Sequence, residues 1–128
     1  MKSGSFIIIL LCSFLNGKIF GQTPQAFFGE HSFADINMKM VNMTKIELKK
    51  ANSITIEPKS IVLKAFYLSI GDMNVVETQT GNKLSKQQLQ KIQNLNIGQF
   101  VIIKNLQTND TNKINPLLVG ALVIKVVK

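Results

Sequence analysis

Three side chains close together in the sequence could do chemistry: Glu30, His31 and Asp35. An imidazole beside carboxylates can relay a proton or ligate a metal. His31 is the only histidine, and the seven acidic residues otherwise fall singly along the chain. A zinc site needs about four ligands, so this trio alone falls short of one. Cys12 is the only cysteine and lies inside an apolar N-terminal run, which leaves no thiol for nucleophilic catalysis. Gly81, Gly98 and Gly120 are isolated and suit turns, a helix stop and close packing, not a phosphate-cradling loop. These residues point to a surface histidine on a non-catalytic chain with no catalytic residue, no cofactor and no metal site.

A second group, Phe27, Phe28 and Phe33, stands in a stretch of weak periodicity. Such aromatics either fold back over the core or anchor a partner protein, and they are the candidate partner-binding residues. Phe66, Tyr67 and Phe100 instead sit within apolar runs and read as core. The formal charge of +8 is carried without arginine, by lysines in runs no longer than two. Lysine cannot make the bidentate fork that reads guanine edges, and no aromatics interleave with the cations as a base-stacking platform requires. No nucleic-acid partner is therefore expected. A solvated surface accounts for the lysines, with weak attraction to anionic polymers or membranes as the alternative.

What must position these residues begins with the export of the chain. Lys2, the apolar run from Phe6 to Leu15 and the small Gly21 have the order of a secretory signal peptide, and the run is too short to span a bilayer. Residues 1–21 are read as the signal peptide, cut after Gly21, leaving no transmembrane anchor in the mature chain and about +6 of charge once Lys2 and Lys18 are gone. The remainder suits a single core without disulfides. Periplasmic residence is expected, with secretion beyond the cell as the alternative.

Residues 22–43 read as a lead-in: a loose stretch from Gln22 to Phe28, then a short strand whose buried face is Ile36, Met38 and Met40. Residues 44–128 read as the domain proper. Thr44 and Glu47 are spaced as a capping box, with Met43 and Leu48 closing a hydrophobic staple over a short helical turn near 45–51. Ser85 and Gln88 repeat the device, with Leu84 and Leu89 as staple, and Leu89, Ile92 and Leu95 form the stripe of a clear helix near 85–95 that Gly98 is placed to stop. Strands are expected at Ser53–Glu57, Ser60–Ile70, Asn74–Thr80, Phe100–Gln107 and Leu117–Val127. The run to Ile70 is apolar on both faces and should lie centrally, while the last strand could form a sheet edge open to a partner strand. The fold class is mainly β: a small antiparallel, sandwich-like domain of five to six strands.

From Thr44 onward the order of features resembles the C-terminal domain of GldM and PorM, envelope proteins of gliding motility and type IX secretion. The matching pieces are Thr44-Lys45-x-Glu47-Leu48, the Ile61–Ile70 strand with Lys64-Ala65-Phe66, and Gly81-x-x-Leu84-Ser85-x-x-Gln88. They continue through Ile92-x-x-Leu95-x-x-Gly98-Gln99-x-Val101 and Ile103-x-Asn105-Leu106 to the closing apolar strand. The resemblance covers about two-thirds of the chain and implies a free-standing copy of the terminal module, which in that family contacts partner proteins at the outer side of the periplasm. It implies a non-catalytic interaction module whose partner is an envelope or outer-membrane-associated protein. The alternatives are a basic polymer- or surface-binding adhesion domain and, on Glu30, His31 and Asp35 alone, a small hydrolase.

Overall fold

A computed structural model describes residues 24–34, 37–108 and 120–128. The proposed signal peptide and its cleavage point, Asp35 and Ile36, and the start of the last expected strand at Leu117 lie outside the described residues. Within them the chain is mainly β, with eight strands and two helices in two sheets. The strands are β1 (Gln25–Phe28), β2 (His31–Ser32), β3 (Met38–Thr44), β4 (Ile54–Glu57), β5 (Leu63–Ile70), β6 (Glu77–Thr80), β7 (Phe100–Thr108) and β8 (Ala121–Val127). The helices are α1 (Lys45–Ala51), between β3 and β4, and α2 (Lys86–Gln93), between β6 and β7.

Both helices start for the reason their sequences announce. Thr44 Oγ1 accepts from the Glu47 N–H at 3.1 Å, and Glu47 Oε1 accepts from the Thr44 N–H at 2.8 Å. The same reciprocal pair joins Ser85 and Gln88, at 3.1 and 2.8 Å. Each box satisfies two backbone donors that a helix start otherwise leaves open, an effect of about 1 kcal/mol. Met43 and Leu48 are both buried in the core, as the staple requires. Helix α2 ends earlier than Gly98 suggests: Asn94 caps it, and Gly98, at φ +96°, serves the turn into β7 by donating its N–H to the Val126 carbonyl at 2.8 Å.

The small sheet has the order β2-β1-β4, and the large sheet β3-β8-β7-β5-β6. All pairs are antiparallel except β3 with β8, which run parallel from Met38 beside Ala121 to Thr44 beside Val127. One core joins the sheets and helices, built on Phe28, Phe33, Leu48, Ile54, Phe66, Leu68, Ile92, Val101, Ile103, Leu122, Ile124 and Val126.

Several expectations are corrected. Gln25–Phe28 is not loose: it forms β1 and pairs with β4 along its whole length. Hairpin β1–β2 raises the strand count from the expected five or six to eight, turning on Gly29 at φ +62°. A two-residue hairpin loop needs that left-handed value, and a Cβ on Gly29 would also lie 3.0 Å from Ala51 Cβ. The strand expected from Asn74 begins at Glu77, because the Asp72 carboxylate and carbonyl accept the Asn74 and Val75 N–H groups and hold those residues in a turn. In β3 the faces are reversed: Met38 and Met40 are 63% and 60% exposed, and Met43, with Val41 packing beside it, faces the core. The last strand is no edge, since β8 lies between β3 and β7.

Candidate functional site

The phenylalanines separate by alternation along β1. Phe28 is fully buried and Phe33 nearly so, both within the core, while Phe27 on the opposite side of the strand is half-buried. A partner cannot reach Phe28 without unfolding the hairpin. Of the three, Phe27 alone keeps appreciable exposed surface.

His31 lies beside Phe28 in hairpin β1–β2 and, with Glu30, lines a cleft of about 220 Å³. Its remaining walls include Met43, Glu47 and Lys50. The Glu47 carboxylate already accepts the Thr44 N–H, so its charge is committed to the helix cap. Among the described residues no three His, Cys, Asp or Glu side chains are grouped to hold a metal. Asp35 lies outside them.

A different surface emerges from strand register, which sequence patterning did not single out. In the large sheet, residues opposite one another project to the same side. Met40, Val123, Ile102 and Ser69 form one row across β3, β8, β7 and β5, with Asn42, Lys125 and Phe100 in the next. Met38 beside Ala121 and Tyr67 beside Lys104 and Thr78 extend the same face. The helices pack on the other side: Glu77, on that side of β6, receives Gln88 Nε2 at 3.3 Å and Lys91 Nζ at 2.7 Å from α2. The small sheet is on that side as well, where Lys39 Nζ donates to Ser32 Oγ at 2.9 Å. Val123, buried on the outer face, stands apart from the main core cluster.

This outer face is largely apolar, and its charged residues among those described are Lys104 and Lys125, with no carboxylate. It ends in strand β3, terminal in the sheet order. The Asn37 carbonyl accepts the Ala121 N–H at 2.7 Å, and in a parallel ladder this fixes the alternation. Lys39, Val41 and Met43 turn their peptide groups to β8, and Met38, Met40 and Asn42 turn theirs away. The Thr44 N–H, next in the outward series, is taken by Glu47. From Met38 to Asn42 the edge thus presents unpaired donors and acceptors, since no described strand lies beyond it.

The usual protections of an edge are missing here. Strand β3 is seven residues long and contains no proline. Its one lysine, Lys39, is drawn to Ser32 on the inner side. The opposite edge, β6, is four residues of Glu, Thr, Gln and Thr, with Glu77 held by Lys91. In the small sheet, edge strand β4 is capped at Ile54, whose N–H donates to the Asn82 carbonyl at 2.8 Å and whose carbonyl accepts from Asn82 Nδ2 at 3.2 Å. Compared with protein-family models and with curated proteins, the chain matches none.

Proposed function

We propose that the chain is an exported, non-catalytic envelope protein that serves as a protein–protein interaction module, in the manner of the terminal domain of GldM-like gliding and type IX secretion components that its second half resembles. The observation that supports this reading is the unprotected edge at Met38–Asn42, where Met38 and Met40 stand 63% and 60% exposed at the rim of the outer face. Large apolar side chains held exposed beside an open strand edge mark a docking site more often than a solvated surface. The periplasm is the proposed compartment, on the strength of the N-terminal signal-like segment.

Crosslinking in cells of the native organism, with a tagged chain and mass spectrometry of what is captured, tests the reading. Recovery of gliding or type IX secretion components is the expected result, and recovery of no envelope protein contradicts it. A second reading, a basic polymer- or surface-binding domain, draws on the lysine excess and on Lys104 and Lys125 as the cations of the outer face. It predicts binding to anionic glycan or lipid vesicles that weakens steeply as salt rises.

A further inference from the structure

Resting on the interaction-module reading, the geometry points to strand addition at β3: we infer that this edge takes an extended segment of a different, acidic protein chain as a sixth strand of the large sheet. The backbone dictates the shape of the ligand. Outward peptide groups at Met38, Met40 and Asn42 recur every second residue, which an extended chain matches with its own alternating donors and acceptors. A helix or a compact surface satisfies its backbone internally and leaves those groups unmet.

Side chains dictate the composition. On the outer face the incoming strand lies beside Met38 and Met40, both more than half exposed, so its side chains there are apolar. The nearest charge on that face is Lys125, which pairs with Asn42 one strand inward and has no described carboxylate beside it. An acidic residue on the outer face of the ligand opposite Asn42 would meet it, short of the Thr44 position where the Glu47 carboxylate closes the edge. Net charge argues against a second copy as the occupant, because each chain without residues 1–21 carries about +6 and pairing two β3 edges would bring like charges together.

The test uses the full chain and three synthetic peptides with blocked ends: one alternating valine with aspartate and threonine, one with lysine in place of aspartate, and one acidic peptide N-methylated at alternate residues. Fluorescence anisotropy of the labelled peptides gives affinities, and sedimentation velocity gives the oligomeric state. We expect the acidic peptide to bind, with affinity falling as salt rises, and the other two to bind at least tenfold more weakly. Met40→Pro removes an outward N–H without touching the β8 ladder, and Lys125→Glu reverses the flanking charge. Each should weaken the acidic peptide at least tenfold while the circular dichroism spectrum stays unchanged. Should Met40→Pro fail to fold, Met40→Lys, a usual edge-protecting substitution, is the replacement with the same expected loss. Equal binding of the N-methylated peptide, equal binding of the lysine peptide, or a concentration-dependent dimer that Met40→Pro abolishes would each overturn strand addition by an acidic foreign chain. Failure of all peptides, with an envelope partner still captured in cells, would overturn strand addition and leave the interaction-module reading standing.

Discussion

Glu77 shows how one side chain ties an edge strand to a helix. Its carboxylate accepts from Lys91 Nζ at 2.7 Å and from Gln88 Nε2 at 3.3 Å. The Lys91 hydrogen bond, opposed by partial burial and aided by Gln88 and by the charge of Lys91, holds its pKa below the ordinary glutamate value. A carboxylate whose pKa is lowered on folding stabilises the protein above its unfolded-state pKa, and the contribution is lost as pH falls through the folded value. Glu77→Gln is therefore expected to flatten the decline of thermal stability below about pH 4.3. The effect is at most about 1 kcal/mol, because more than half of the Lys91 side chain is exposed. Thermal unfolding between pH 3 and 7, with the variant beside the native chain, reads it directly.

Also at the scale of single residues, Phe27 and Phe28 are neighbours with opposite roles. Phe28→Ala empties a fully buried site and should cost about 3–5 kcal/mol. Phe27→Ala, from a half-buried position, should cost about 1 kcal/mol. Urea unfolding of the two variants separates the core role from the surface one. The sequence placed both residues in one aromatic group because alternation over four residues, Gln25 to Phe28, is too short to assign faces, and the partner that does assign them, β4, lies some thirty positions away.

At the scale of elements, the helix starts were the most legible feature, because a capping box is a local device: donor, acceptor and spacing all lie within four residues. Thr44→Ala and Ser85→Ala should each destabilise by about 1 kcal/mol in chemical denaturation, since each removes the hydroxyl that accepts the third helical N–H. The buried face of β3 escapes the sequence for an equally physical reason. Ile36, Met38 and Met40 alternate with polar residues, but alternation defines two faces without saying which meets the core. Val41 and Met43 occupy the other face and win it, leaving the methionines outside. The observed register makes a sharp prediction. Val41→Pro deletes an N–H bonded to β8 and should destabilise by at least about 2 kcal/mol more than Met40→Pro, whose N–H points away from the sheet. Comparison of the two unfolding midpoints checks it.

For the whole molecule, sheet order decides which surfaces face solvent, and order is set by long-range pairing that no local pattern reports. The closing strand reads as apolar and terminal in the sequence, yet it is inserted between β3 and β7, and the edge role passes to β3. The candidate docking face is assembled from β3, β8, β7 and β5, whose residues come from both ends of the described chain. Part of its composition is visible in the run to Ile70, apolar on both faces, and in Tyr67 and Phe100, which read as core, but only register separates the covered side from the outer one. Replacing Met38 with serine and Met40 with threonine should leave stability within about 0.5 kcal/mol, since both side chains are largely exposed, while abolishing partner capture.

Position-specific photo-crosslinking in living cells of the native organism tests the role of the β3 edge most directly. A photoreactive residue at position 40, on the open edge, is compared with one at position 59, in the exposed turn between β4 and β5. One discrete adduct with an acidic envelope protein is expected from position 40 and none from position 59. Adducts of equal yield from both positions, or none from position 40, would contradict it.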